Sequence, residues 1–315
     1  MNNPPREADA GPVLAVEPHY TSPGRSRIHF VSVPLDRPAA IQTYVALDTE
    51  TTGLSPVDDR IIELAAVAFS ADGVELATFE QLVNPGIPIP PLLTLIHGIT
   101  DDMVAGKPSI DQVLPEFLRF IGDSILLAHN APYDVSMLLV PLMRLTGGIA
   151  PMNLVLDTCA LARAAFPGAP NYKLSTIAVM LGVPTGQAHR ALSDVRACKG
   201  IFSKTLEHRG ATALISDLVG MNGSELFLGL SETMLSAVPG GTERAALIGD
   251  AIRRGRPLWI SYHGGTKGPG LRLVHPITLA RQTEGLFLVA HCTLDRSVKS
   301  FRLEKIAVVY PASDS

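Results

Sequence analysis

The chain is poor in the residues that mark several common protein classes. Its 315 residues include 3 cysteines, Cys159, Cys198 and Cys292, odd in number, far apart and set among apolar neighbours. That pattern supplies neither a disulfide frame nor a zinc-ligand spacing; it reads as reduced core thiols, and no structural metal is expected. No uninterrupted apolar run reaches 18 residues, so no membrane span is expected. The opening MNNPPREADAGPVLA has no basic stretch followed by an apolar one, so a cytoplasmic protein without a secretory leader is expected. With 46% hydrophobic and 18% charged residues, the composition is that of a globular protein, and the length favours two domains.

Prolines and glycines divide the chain. Residues 1–40 hold Pro4, Pro5, Pro12, Pro18, Pro23, Pro34 and Pro38 with little periodicity, and only Ile28 to Val33 could form a strand. A partly ordered N-terminal extension is expected there. A longer unit follows over 41–210, then a helix-prone connection over 211–242 that ends in Pro239-Gly240-Gly241-Thr242. A second module spans 243–312 and opens with a helix over Glu243 to Arg254. Charge changes at the same place: from Glu243 to Pro311 there are 11 lysines and arginines against 5 acidic residues, net +6. The rest carries 15 basic and 25 acidic residues, net −10. A basic module beside an acidic one suits an enzyme acting on nucleic acid, although scattered surface charge would give the same count.

Three short clusters carry the chemistry. In YVALDTETTGL, Tyr44 to Asp48 reads as a buried strand, and its alternation sends Asp48 and Glu50 to one face at the strand's exit. Thr51-Thr52-Gly53-Leu54 then reads as a polar turn in which Gly53 permits close backbone approach. In LLAHNAPYDVSML, Asn130 is a plausible N-cap, Pro132 fits a first helical turn, and Asp134 sits where the helix dipole favours a carboxylate. In GQAHRALSDVRA, residues 190–206 read as a helix burying Ala191, Val195, Cys198 and Phe202. His189 falls at or before its start and Asp194 inside it. Each cluster alone has a structural explanation: a solvent-facing acidic pair, a dipole-stabilised aspartate, a surface histidine. Together they place four carboxylates with no adjacent lysine or arginine to balance Asp48, Glu50 and Asp134. Hard, oxygen-preferring ions such as Mg²⁺ or Mn²⁺ are the natural counter-charge, and a pair of them is a standard device for cleaving phosphodiesters. A histidine's ordinary pKa near 6.5 lets it take a proton from water.

The clusters resemble the three motifs of DEDDh 3′→5′ exonucleases, above all the epsilon proofreading subunits and PolC-type segments of bacterial replicative polymerases. The resemblance runs from about Thr43 to Arg209. It includes Asp59-Arg60-Ile61-Ile62-Glu63-Leu64, Leu82-Val83-Asn84-Pro85, His97-Gly98-Ile99-Thr100, Leu156-Asp157-Thr158 and Tyr172-Lys173-Leu174-Ser175, and the third motif has the H-x4-D form. It implies an RNase H-like α/β fold, a mixed sheet flanked by helices. It further implies two divalent ions, Mg²⁺ or Mn²⁺, held by Asp48, Glu50, Asp134 and Asp194, with His189 as general base. Thr51, Thr52 and Leu54 would meet the 3′-terminal nucleotide through backbone groups and an apolar wedge. Asn130 and His97 would lie near the scissile phosphate, while a turn-stabilising role fits His97 equally. Asp157 is read as a capping residue and Tyr133 as a packing one.

The second module resembles WYL domains, small Sm/SH3-like β-barrels. Its segments are Pro257 to Tyr262, Leu273 to Pro276, Gly285 to Cys292 and Lys299 to Ile306. Leu286-Phe287-Leu288 stands where the Trp-Tyr-Leu signature is expected, and Lys299 and Lys305 replace the usual arginines, which removes the bidentate fork. Tyr262, Lys299 and Arg302 are its candidate nucleic-acid contacts, and Trp259 is expected in the core. The joint reading is a metal-dependent 3′→5′ exonuclease with a WYL-like module that grips nucleic acid or regulates. Its expected partner is single-stranded or 3′-ended nucleic acid, DNA ahead of RNA, with a polymerase or repair partner open and no membrane. A ligand-sensing regulator that only binds nucleic acid, or a proofreading partner of a polymerase, are the alternatives; intact acidic motifs favour the enzyme.

Overall fold

The computed structural model describes residues 35–146, 153–186, 189–223, 226–228, 235, 237–265, 268–282 and 285–312. The expected N-terminal extension, with its strand over Ile28 to Val33, lies outside them up to residue 34.

Two sheets organise the chain. The first has six strands in the order β3-β2-β1-β4-β5-β6. Its members are β1 (Thr43–Thr51), β2 (Ile61–Ser70), β3 (Glu75–Leu82), β4 (Ile125–Ala128), β5 (Asn153–Asp157) and β6 (Leu226–Leu228). Strands β1, β4 and β5 run parallel, while β2, β3 and β6 are antiparallel to their neighbours. This is the mixed α/β sheet expected of an RNase H-like fold. Alternation along β1 feeds two cores. Val45 and Leu47 face α3 (Ile110–Ile121) and α4 (Pro132–Thr146), packing with Phe117, Leu138 and Leu142. Tyr44 and Ala46 face α5 (Thr158–Ala165), α7 (Ala191–Arg209) and α8 (Ile215–Asn222).

On that second face the rings of Tyr44 and Phe202 stand 4.6 Å apart, with Phe69 at 5.8 Å from Tyr44. The contact locks α7 onto β1 with its N-terminus at the end where β1 exits. Ala191, Val195, Cys198 and Phe202 are all buried, as the periodicity of 190–206 predicts. Around the remaining edge, α1 (Pro91–His97) and α2 (Asp101–Val104) follow β3, and α6 (Leu174–Leu181) packs on α7 through Ile177, Ala178 and Ile201.

Part of the expected helical connection is instead a strand. After α8, Leu226–Leu228 pairs with Asn153, Leu154 and Val155 and extends the first sheet. Pairing an otherwise open sheet edge overrides the local helical preference. Gly241, which opens α9 (Gly241–Arg254), has no space for a side chain: a Cβ there would meet the Leu235 carbonyl.

The second sheet is antiparallel throughout, in the order β10-β9-β8-β7-β11. Its strands are β7 (Leu258–Tyr262), β8 (Gly270–Gln282), β9 (Gly285–Cys292), β10 (Ser297–Arg302) and β11 (Ile306–Pro311). Between β10 and β11 the chain makes a 3₁₀ turn over Leu303–Lys305. Pro276, inside a central strand, sits where the β8–β9 register shifts, the place where a missing donor is tolerated. Trp259 is half-buried rather than a core residue: Leu258 and Ile260 on either side take the inward positions of β7. Cys198 and Cys292 are buried free thiols, while Cys159 is only half-buried.

The two sheets share one helix. Leu139 and Met143 of α4 pack into the same core as Ala245, Ile248 and Ile252 of α9 and the inner face of the second sheet. Because Phe202 anchors α7 to β1, Phe202→Ala is expected to lower unfolding free energy by about 3–5 kcal/mol. Urea denaturation of the two proteins checks this.

Candidate active site

The parallel strands β1, β4 and β5 end on one side of the sheet, where open α/β sheets form their ligand crevice. All three sequence clusters meet there. Asp48 and Glu50 leave β1 on the face that α7 covers, and Asp194 lies in the first turn of α7. Ligand atoms of Glu50, His189 and Asp194 all lie within 4.8 Å of one another. Asp134 reaches β1 from the opposite face. Its Oδ1 accepts hydrogen bonds from the Thr49 amide at 3.0 Å and the Thr49 hydroxyl at 2.7 Å, between Asp48 and Glu50 in the chain.

The electrostatics are those of a cation site. Burial pushes the Glu50 carboxyl up to about 8, with Asp194, Glu63 and Asp134 adding repulsion and Arg190 opposing. Burial pushes Asp134 up to about 7 against the pull of the Thr49 bonds. Asp48 rises well above the carboxylate range through burial and then through Asp134, Glu50 and Asp194, and burial raises Asp194 as well. Four carboxyls held in the protonated direction chiefly by burial are suited to hard divalent ions. The donor set, all carboxylate apart from His189, fits Mg²⁺ or Mn²⁺.

Two residues at the site have left-handed backbones that side chains seldom adopt, Asn130 at φ 68° and His189 at φ 58°. Each is held by a buried or bridging carboxylate. The Asn130 amide donates to Asp157 Oδ1 at 2.9 Å, and the same oxygen accepts from the Cys159 amide to cap α5, the capping role expected for Asp157. Asn130 is therefore not a helix cap: α4 begins at Pro132, and Asn130 presents an exposed side chain one residue too early. His189 donates its amide to Asp194 Oδ2 at 3.1 Å. Directly after it, Arg190 Nη2 meets Glu63 Oε1 at 2.8 Å and the Ala191 amide meets Glu63 Oε2 at 3.0 Å. Glu63 is 0% exposed and faces Glu50 across the β1–β2 ladder. Glu63 and Arg190 thus fix the turn that aims His189. The sequence reading quoted Glu63 and missed this role, since the signal is an acidic residue inside an apolar strand run, IIELAAVAF.

Gly53 closes the turn after β1. A Cβ there would lie 2.3 Å from the Asp59 carboxylate, which accepts from the Ser55 amide at 2.8 Å. Thr51 and Thr52 are buried. The Thr51 hydroxyl donates to the Gly53 carbonyl at 2.6 Å, and the Thr52 amide donates to the Arg60 carbonyl at 2.8 Å. These threonines build the turn, and Leu54, 82% exposed, is what the turn presents. Tyr133 does more than pack: its hydroxyl joins Thr51 Oγ1 at 2.6 Å and the Gly53 carbonyl at 3.0 Å.

His97 is buried, and its Nδ1 accepts from the Ile99 amide at 3.0 Å, so the turn-stabilising role is real. Its Nε2 is buried with no partner among the described residues, although Glu63, His189 and Arg190 all act on the ring. In the second module, Lys299 is exposed, whereas Arg302 is engaged: its guanidinium lies 5.6 Å from the Phe287 ring centre and 3.1 Å from Glu304. The Tyr262 ring stands edge-on to Phe301 at 5.1 Å.

The raised carboxyls make the metal-free protein sensitive to pH. An unfolded chain ionises them near pH 4, while the folded one retains protons on Glu50 and Asp134 to about 8 and 7. The penalty is absent below about pH 4 and grows as pH rises towards 8. The melting temperature in EDTA is expected to fall across that window, and Mn²⁺ or Asp48→Asn should flatten the fall; a flat metal-free profile would refute the assignment.

Comparison with known proteins identifies the family of each module. The exonuclease family model matches residues 45–202 and the WYL domain model matches residues 243–311. The chain is 41% identical over 167 residues to the DNA polymerase III subunit epsilon of Treponema pallidum, covering 52% of this chain and 77% of that one. It is 43% identical over 164 residues to the PolC-type DNA polymerase III of Caldanaerobacter subterraneus, covering 52% of this chain and 12% of that much longer polymerase. Among solved structures, exonuclease X in complex with 5′ overhanging duplex DNA is 30% identical with a TM-score of 0.46, covering 56% of this chain and 99% of that one. The chain belongs to the DEDDh, DnaQ-like exonucleases, with a WYL domain behind its exonuclease fold.

Proposed function

We propose that the chain is a 3′→5′ exonuclease that releases nucleoside 5′-monophosphates from single-stranded or 3′-ended nucleic acid, with DNA as its first substrate. The observation that carries this is the convergence of Asp48, Glu50, Asp134 and Asp194, with raised carboxyls, beside His189. Those four carboxylates would hold two Mg²⁺ or Mn²⁺ ions. When bound, such ions acidify the attacking water and stabilise the departing 3′ oxygen.

The chain's own residues do the rest. His189, aimed by the Glu63–Arg190 pair, takes the proton from water at its imidazole. Leu54 is placed to wedge against the terminal nucleotide. Exposed Asn130, and the Nε2–H of His97, which has no partner among the described residues, would donate to phosphate oxygens; burial lowers the His97 pKa, which favours the neutral ring. The WYL domain, net +6 from Glu243 to Pro311, adds phosphate contacts through residues such as exposed Lys299. A polymerase assembly is the partner class that the relatives' names suggest.

Two outcomes test this. Asp48→Ala, Asp194→Ala or EDTA should abolish digestion of 5′-labelled oligomers, and intact protein should shorten them stepwise from the 3′ end; cleavage that survives EDTA would refute it. His189→Ala should lower turnover by roughly 10²–10⁴-fold with substrate affinity nearly unchanged. Wild-type turnover in that variant would remove His189 from the mechanism.

A further inference from the structure

A crevice of about 250 Å³ lies where the catalytic fold meets the WYL domain. Met137, Val140 and Arg144 of α4 line it from below, Arg60 from the turn after β1, and Ile252 of α9 and Ile277 of β8 from the WYL side. Its size is just below the roughly 300–1,000 Å³ of drug-sized ligand sites, and domain junctions are where such sites concentrate.

Its polar groups ask for an anion. Among the described residues the buried Nε of Arg144 has no partner, while its Nη2 is ion-paired with exposed Asp111 at 3.4 Å. Arg60 commits Nη1 to the carbonyls of Val57 and Asp59, at 2.9 and 2.8 Å. The acid that lines the crevice, Asp59, is engaged with the Ser55 amide and the Thr52 hydroxyl. Guanidinium groups above an apolar floor suit a phosphate monoester on an apolar body, because their planar donor forks match phosphate oxygens.

The same residues hold the substrate turn. The Arg60 amide donates to the Thr52 hydroxyl at 2.9 Å, and the Arg60 carbonyl accepts from the Thr52 amide. A ligand that draws the Arg60 guanidinium away from the Val57 and Asp59 carbonyls loosens the turn that presents Leu54.

We propose that this crevice binds a phosphate monoester, the nucleoside 5′-monophosphate released next door, and that its occupancy weakens the grip on the strand. The choice of ligand rests on the exonuclease reading, while the site itself does not. A mononucleotide would place its phosphate between Arg144 and Arg60 and its sugar against Val140 and Ile277. The WYL domain then serves as one wall of a product-sensing site.

Isothermal titration in EDTA tests the site without turnover, since removing divalent ions stops metal-dependent cleavage. The full chain should bind dAMP at one site, with deoxyadenosine and inorganic phosphate each at least tenfold weaker. Arg144→Leu and Ile277→Trp, the second of which fills the crevice, should each weaken dAMP at least tenfold while cleaving a short oligomer as wild type does. A 5′-phosphorylated dinucleotide distinguishes the sources: weaker binding than dAMP fits the free nucleotide, and equal or tighter binding assigns the crevice to a strand's 5′ end instead. With Mg²⁺, dAMP should inhibit wild type in mixed fashion and Ile277→Trp only competitively. No dAMP binding to wild type, inorganic phosphate as tight as dAMP, or unchanged binding in both variants would overturn the proposal. Binding that persists in a protein that cleaves nothing would instead refute the exonuclease reading.

Discussion

The burial of four carboxylates at the exit of β1 is the constraint on which the rest depends. Asp48, Glu50, Asp134 and Asp194 come from three separated segments and are brought together where burial raises all four. A fold assembles such a cluster only when its packing outweighs the penalty. Here that packing includes the Tyr44–Phe69–Phe202 stack, which fixes α7 to β1, and the apolar face of α4 against Val45 and Leu47. A positive charge entering the site would relieve that penalty.

Backbone strain marks the same place. Asn130 and His189 take left-handed conformations, and each is over-determined by a carboxylate from elsewhere in the chain. Asp157 ties Asn130 to the start of α5. Glu63 ties the residues after His189 to β2, and its buried charge is met by Arg190 rather than left alone, which is the condition under which such a pair is tolerated. Catalytic groups on turns acquire precision in this way from the rigid strands behind them.

Helix α4 links the two modules. Its first turn delivers Asp134 to β1, and Leu139 and Met143 further along enter the core that α9 and the second sheet build. The WYL domain therefore rests on an element of the active site, and its charge, opposite in sign to that of the remaining chain, sits beside an acidic catalytic fold.

The sequence by itself determined the chemistry and the local elements. Alternation in Tyr44 to Glu50 put both acids on one strand face, helical periodicity from Ala191 to Phe202 put Asp194 in a helix, and Gly53 marked a close approach. These follow from periods of two and 3.6 residues, which depend only on neighbours. Tertiary structure decided what no neighbour encodes. Glu63 and Arg190 are 127 residues apart, and Asn130 and Asp157 are 27 apart, so neither bond leaves a local pattern. Likewise Leu226–Leu228 became a strand because β5 had an open edge, Trp259 moved outward because its neighbours filled the core, and Thr51 and Thr52 turned inward because Gly53 and Arg60 supplied partners. Hydrogen bonds and space in the folded molecule, rather than propensity along the chain, made those choices.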